Sequence, residues 1–360
     1  MPTLFTPLTV GSLEVPNRIF MAPLTRCRAE PGDVPGSLIA THYAQRASAG
    51  LLIAEATMAI AGNCAFPGAP GIHSEAQIAG WRTVTDAVHA AGGRIALQLW
   101  HGGRACHSAL NGGAQPVSAS AVAIEGEAYT PQGMQPYDTP RALDDSEIPG
   151  IVAGFRRAAE NARRAGFDGV EIHGANGYLL DQFLRDGTNR RSGPYGGPLE
   201  NRARLLLEVV DAAAAVFGAG RVGVRISPLN SYNSMVDSDP VRLTEFVASR
   251  LSERSVAYLH LMRADFFGKQ HDDVLGPARR AFRGALVANM GYTPEEAAAA
   301  VEGGLVDAVA FGTAFLANPD LPARIKAKAP LNAPDQATFY TPDAKGYTDY
   351  PTMSTAGAEA

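Results

Sequence analysis

Eight times along this chain a short apolar run is followed by a longer stretch with helical patterning, and that repeat constrains the fold more than any other feature. Alternating strands and helices build parallel sheets, because each crossover helix returns the chain to start a new strand beside the last. The strand candidates are residues 18–21, 51–56, 94–99, 170–173, 222–226, 258–261, 285–288 and 308–311. Several are apolar from end to end, as strands covered on both faces are. Eight such units in 360 residues predict one α/β domain over residues 1–360, a (β/α)8 TIM barrel.

The intervening segments carry helix signals. Thr293-Pro294-Glu295-Glu296 supplies a capping hydroxyl, a proline at the first helical position and acids in the first turn. Asp239-Pro240 does the same for the segment ending near Arg254. Residues 148–165 gather Ile151, Phe155, Ala158, Ala159 and Ala162 on one face, set arginines opposite and end at Gly166. Ahead of the first strand, Leu8 to Val15 reads as two short strands around Gly11-Ser12, a hairpin able to plug the barrel bottom. Two segments lack helix or strand pattern: residues 102–145, rich in Gly, Pro and Ser and expected to cap the site, and the stretch from Pro330, whose last residues, 352–360, are expected to be loose.

Composition narrows the function classes. Hydrophobic residues at 46% and charged residues at 19% suit a folded enzyme-sized body rather than a disordered chain. A net charge of -5 offers no broad basic footprint for nucleic acid. No apolar run approaches the roughly 20 residues of a membrane span, and the first residues lack a signal-peptide pattern. A cytoplasmic enzyme, monomer or homodimer, is expected. Cys27, Cys64 and Cys106 have neither zinc-site spacing nor disulfide density, and no cysteine follows that could hold an iron–sulfur cluster, so reduced thiols and no metal are expected.

In such barrels active sites form at the C-terminal strand ends, where this chain places Pro23-Leu24-Thr25-Arg26, Gln98-Leu99-Trp100-His101, and His173-Gly174-Ala175-Asn176-Gly177-Tyr178, with Arg225 inside an otherwise apolar strand. A charge there needs a partner, since burying it alone is very costly. One candidate is a carboxylate such as Glu55 or Glu171; another is an anionic ligand. Taken singly, His173 reads as a core histidine and Tyr178 as a ring packed under the next helix.

The segments MAPLTR, QLWHGGR, HGANGYLLDQFL, RSGPYGG with ENR, VGVRISP, DAVAFG, ANPDL and GYTDYP together resemble the Old Yellow Enzyme family, in its order and spacing, from about Pro7 to Pro351. The resemblance implies an FMN-dependent ene-reductase that takes reducing equivalents from NADPH or NADH and reduces the C=C bond of α,β-unsaturated carbonyl or nitro compounds. It implies that His173 and Asn176 bind the substrate carbonyl, that Tyr178 protonates Cα, and that Trp100 and Tyr340 wall the substrate pocket. Two neutral donors aimed at one oxygen suit a carbonyl that becomes an enolate, and a phenol with an ordinary pKa near ~10 stays able to donate.

For the flavin, the resemblance places Arg225 near N1 and O2, Thr25 and Gln98 at the pyrimidine edge, and Pro23, Leu24 and Ala56 in backbone contact or close packing. Family members of one branch carry cysteine where Thr25 stands; this chain falls outside that branch. The phosphate end would lie on Asn289-Met290-Gly291 and Gly312-Thr313, at the loops after the last two strands. Here the chain departs from the family, which has arginine at the position of Thr313, so another cation must help or FMN is held less tightly. Nitrate-ester or nitroaromatic reduction is the alternative within the family. Outside it stand a flavin-free aldolase or isomerase acting on sugar phosphates, which commonly needs a Schiff-base lysine that none of the strand candidates carries, and a flavin-binding redox sensor without turnover.

Overall fold

The computed structural model describes residues 1–353. Eight parallel strands form a closed barrel: β1 (Ile19–Met21), β2 (Leu52–Met58), β3 (Ile95–Trp100), β4 (Gly169–Gly174), β5 (Val222–Ile226), β6 (Tyr258–Met262), β7 (Ala285–Asn289) and β8 (Ala308–Phe311), with β8 pairing back onto β1. Every residue in these strands is buried, which explains why they read as apolar runs rather than as alternating ones. The expected strands are all present, with no end shifted by more than two residues; β7, for instance, runs one residue further, to the buried Asn289.

Side-chain alternation divides the strands into two surfaces. Ile95, Leu97, Val170, Ile172, Val222, Val224, Leu259 and Leu261 pack outward among the helices. Phe20, Ile53, Ala96, Tyr258, Val287 and Ala310 pack inward, joined by Val10 and Val15 of the N-terminal hairpin. That hairpin, Leu8–Val10 against Leu13–Val15, is antiparallel as expected and plugs the barrel end opposite the loops. Its turn is held by Ser12 N–H donating to Gly220 O at 2.7 Å, and a side chain at Gly11 (φ +59°) would overlap that same carbonyl.

Helix ends follow the sequence signals. Thr293 and Glu296 form a reciprocal capping box, with Glu296 N–H donating to Thr293 Oγ1 and Thr293 N–H to the Glu296 carboxylate, each at 3.1 Å. Asp239 accepts from Arg242 N–H at 2.9 Å. The helix Ile148–Arg164 buries Phe155, Ala158, Ala159 and Ala162 against the sheet, leaving Ile151 partly buried at its margin.

Residues 102–145 are more structured than their composition suggested. Glu127–Thr130 and Gly133–Pro136 form a hairpin, and Val117–Ser118 pairs with Arg141–Ala142. These strands have two to four residues each, too few for a period to stand out against Gly, Pro and Ser. The segment is tied across the barrel mouth by Arg104, which donates to Val122 O at 2.9 Å and to Asn233 O at 2.7 Å.

The stretch from Pro330 is irregular apart from a short turn at Gln336–Thr338, yet it is closely fastened. Arg28 donates to the carbonyls of Thr338, Phe339, Asp343 and Lys345 and to the Thr341 hydroxyl, while Arg26 donates to Phe339 O and Gly346 O. Both guanidinium groups lie over the Tyr347 ring, at 4.9 Å for Arg26 and 4.3 Å for Arg28. Met353 N–H reaches Asp320 at 2.8 Å; the rest of the tail expected to be loose, 354–360, lies outside the described residues.

Tyr258 fills the barrel axis only because β5 offers Gly223 beside it: a methyl group there would overlap the tyrosine ring. Gly223→Ala should therefore cost about 1–3 kcal/mol of stability by overpacking. A second change, Tyr258→Val, should return part of that loss in urea unfolding. A Gly223→Ala protein as stable as the wild type would show that the ring yields freely.

Candidate active site

Above the apolar layer the barrel interior becomes polar, because the next inward positions are Gln98, Glu171, Arg225, His260 and Asn289. Among the described residues Arg225 has no carboxylate in hydrogen-bond contact. Its Nη2 donates to Asn289 Oδ1 at 2.8 Å, and its buried Nε has no acceptor among them. Of the two acids considered for it, Glu171 accepts instead from Gln98 Nε2 at 2.7 Å and pairs with His260 Nδ1 at 2.9 Å. Burial lowers the Arg225 pKa, and the nearby Glu171 charge offsets part of that. Glu55 lies elsewhere, accepting from Arg26 N–H at 3.1 Å.

These bonds determine which atoms are left to act on a ligand. Because Gln98 donates its amide N–H to Glu171, its carbonyl oxygen is the free end. Thr25 is half-buried with a hydroxyl that no protein group engages among the described residues, and Pro23, Leu24 and Ala56 surround it as buried or half-buried apolar wall. Asn289 differs from expectation. Its side chain is engaged inside the barrel by Arg225 and by donation to Ala310 O at 2.8 Å, so it steadies the arginine rather than reaching the loop.

At that loop Met290 and Gly291 both adopt positive φ, +93° and +67°. Arg263 braces them, donating to Met290 O at 2.9 Å and Gly291 O at 3.0 Å, stacking 3.6 Å from the Tyr292 ring and pairing with Glu296 at 3.1 Å. Its guanidinium thus sits at the Met290–Gly291 loop, a position not foreseen because Arg263 lies on the loop after β6. Thr313 is exposed, and Gly312 precedes a helix of only five residues, Thr313–Ala317.

The loop after β4 brings several of the expected side chains together. His173, Tyr178 and Trp100 are buried together; Tyr178 meets the His173 ring edge-on at 5.0 Å and the Trp100 ring at 5.1 Å. Ala175 N–H donates to His173 Nδ1 at 3.3 Å, which places the imidazole proton on Nε2. Burial, reinforced by Arg225 and His260, holds the His173 pKa well below its ordinary value, so the ring is a neutral donor. Burial among Tyr232, Tyr137 and Tyr340 pushes the Tyr178 phenol well above the ordinary tyrosine range, so it remains protonated. Asn176 adopts φ +57°, with its N–H donating to Ser227 Oγ at 2.7 Å and its Oδ1 accepting from Asn230 at 2.9 Å.

A cavity of about 500 Å³ opens above this group, lined by Cys27, Phe66, Pro67, Tyr129, Tyr232 and Tyr340. Tyr340 and Tyr129 are each 65% exposed at its rim, whereas Trp100 lies at depth. The sequence alone points to neither Tyr129 nor Tyr232, because one lies on the short hairpin of the 102–145 segment and the other in the loop after β5, and only the fold brings them to the site. The three thiols are free; burial raises Cys27 to about 12 and Cys64 to about 11, and raises Cys106 as well.

Residues 3–332 match the model of the NADH:flavin oxidoreductase / NADH oxidase family. The chain belongs to this family, and within it to the Old Yellow Enzymes. It is 49% identical over 353 residues to a probable flavin mononucleotide-dependent alkene reductase of Leishmania infantum, covering 96% of each chain. It is 44% identical to 12-oxophytodienoate reductase 1 of Oryza sativa subsp. japonica, covering 99% of this chain and 95% of the relative. Among solved structures, morphinone reductase in complex with tetrahydroNAD superposes with a TM-score of 0.94 at 48% identity, covering 98% of each chain. The Old Yellow Enzyme homologue of Zymomonas mobilis gives 0.95 at 46% identity, covering 97% of this chain and 99% of that one. This Old Yellow Enzyme is thus a flavin oxidoreductase, and the flavin-free aldolase reading falls, in keeping with eight strands that carry no lysine.

One buried acid beside the site titrates near neutrality. Burial pushes Glu55 up to about 7 from an ordinary 4.5, against the opposing pull of Arg26. The folded enzyme holds this proton more tightly than the unfolded chain, so this group's contribution to stability falls as pH rises from 4.5 through about 7. Glu55→Gln keeps an acceptor for Arg26 N–H and removes the titration. Its stability relative to wild type should improve by on the order of 3 kcal/mol between about pH 4 and about pH 8. A difference independent of pH in urea unfolding would show that Glu55 ionises normally.

Proposed function

We propose that this Old Yellow Enzyme reduces the C=C bond of alkenes activated by a carbonyl or nitro group, with NADPH or NADH as reductant. The residues fit FMN, whose ring edge carries both acceptors and an N–H: the buried Arg225 guanidinium and the Thr25 hydroxyl can donate to the acceptors, and the Gln98 carbonyl can accept from the N–H. Arg225, Gln98 and Thr25 would hold the ring, Pro23, Leu24 and Ala56 would pack on it, and the loop at Met290, Gly291, Gly312 and Thr313 would take the phosphate. Bound FMN would accept hydride from the nicotinamide and pass it to Cβ of the alkene.

The remaining steps belong to the protein. His173 Nε2–H and the Asn176 amide donate to the activating oxygen, and both are neutral, so they bind it strongly only as negative charge develops there. Tyr178 donates its proton to Cα and recovers one from solvent. Trp100 and Tyr340 wall the pocket, with Trp100 packed on the tyrosine that acts. The observation that carries this reading is the geometry: His173, with Nδ1 taken by Ala175 N–H, and the buried Tyr178 meet edge-on at 5.0 Å, and burial favours the neutral imidazole and the protonated phenol. Nitroaromatic or nitrate-ester reduction would draw on the same donors.

Tyr178→Phe should slow alkene reduction by about 10²- to 10⁴-fold, the usual contribution of a positioned acid, and leave flavin reduction by nicotinamide largely unchanged in stopped-flow measurements of the two half-reactions. Equal losses in both would remove the phenol from its role. Thr313→Arg should slow FMN dissociation by adding a charge there; an unaltered rate would show that another cation already serves.

A further inference from the structure

We propose that Asn230, in the loop after β5, is a positioning residue that decides which end of the Asn176 amide faces the substrate; the inference rests on the carbonyl-binding role given to Asn176 above. Amide oxygen and nitrogen are told apart by their partners, and here the partners leave one solution. The backbone N–H groups of Tyr232 and Phe266 both point at Asn230 Oδ1, at 3.4 and 3.3 Å. A backbone N–H can only donate, so the oxygen of Asn230 must lie on that side and its NH2 on the other. There Asn230 Nδ2 donates to Asn176 Oδ1 at 2.9 Å. An NH2 group cannot accept, so Asn176 must turn its carbonyl inward, which frees its own NH2 to donate to a ligand.

The rest of both residues is already held. Asn230 is fully buried, its carbonyl accepts from Arg185 Nη1 at 2.6 Å, and its N–H donates to Ser227 O at 3.0 Å. The Asn176 backbone is gripped by Ser227 Oγ on its N–H and by Asn233 Nδ2 on its carbonyl, at 2.7 and 2.9 Å. With the main chain fixed, rotation of the Asn176 amide is the freedom that remains, and Asn230 removes it. The polarity is thus passed from two peptide N–H groups, through one amide, to a second amide at the site.

The relay makes an unusual demand on mutants. Asn230→Asp is nearly isosteric and keeps the acceptor for Tyr232 and Phe266, but it turns an oxygen toward Asn176, which must then rotate and present its carbonyl to the ligand. Asn230→Ala only releases the amide. The test is titration of the FMN holoenzyme with p-hydroxybenzaldehyde, followed by the long-wavelength band of a phenolate stacked on oxidised flavin, with FMN content and Tm recorded for each variant. Asn230→Asp should weaken the phenol about 10- to 100-fold, the loss of a hydrogen bond to a charged group, and more than Asn230→Ala does. In an Asn176→Ala background neither change should weaken it further.

A larger loss for the alanine than for the aspartate, or full additivity with Asn176→Ala, would reduce Asn230 to packing and overturn the proposal. If the aspartate variant fails to fold, additivity of Asn230→Ala with Asn176→Ala decides the same question. A wild-type holoenzyme that gives no band with the phenol would instead overturn the site assignment beneath it.

Discussion

A guanidinium enclosed in a parallel barrel is the constraint around which the upper half of this structure is arranged. Left alone, the charge of Arg225 would be prohibitively costly, and a direct carboxylate pair would neutralise it completely. The barrel does neither. It places Glu171 near enough to offset part of the desolvation, then engages that acid with Gln98 and His260, and gives Arg225 the neutral carbonyl of Asn289 as its hydrogen-bond partner among the described residues. The cation is therefore affordable but under-satisfied, and an electron-rich ring edge can complete its shell.

The same arrangement governs the strand-end loop. His173 stays neutral through burial first and through the positive charge of Arg225 next, so the guanidinium inside the barrel also keeps the imidazole in its donor form. Tyr178 stays protonated because it is buried among other phenols rather than beside a cation. Two groups one loop apart are thus held in the states that binding and proton donation need, by environment rather than by direct contact with a charged partner.

Much of this was legible in the amino-acid order. Barrel strands covered on both faces have to be apolar, so 222–226 and 308–311 could be bounded to the residue, and a lone arginine in the first of them announced a ligand or a partner. His173 stands at the end of a strand, and Asn176 and Tyr178 follow it within five residues, so their nearness along the chain needed no tertiary knowledge. Asn230 and Arg263 were illegible for the opposite reason: each acts across a gap between different βα loops, and a polar residue in a loop has no period that betrays its target. The direction of the Asn289 amide was likewise illegible, because a place at a strand end does not reveal whether a side chain points into the barrel.

The C-terminal stretch shows how far such hidden order can extend. Residues 338–346 have almost no regular structure, yet their carbonyls converge on two buried arginines that lie on one tyrosine ring. Between those arginines stands Cys27, in a left-handed conformation at φ +56°, and its side chain faces the cavity beside Tyr340. Carbonyl oxygens satisfy a guanidinium without bringing in a second charge, so a loop built this way leaves no carboxylate–arginine pairing in its sequence. An irregular segment can therefore be as closely specified as a helix, with its specification written in the residue that receives it.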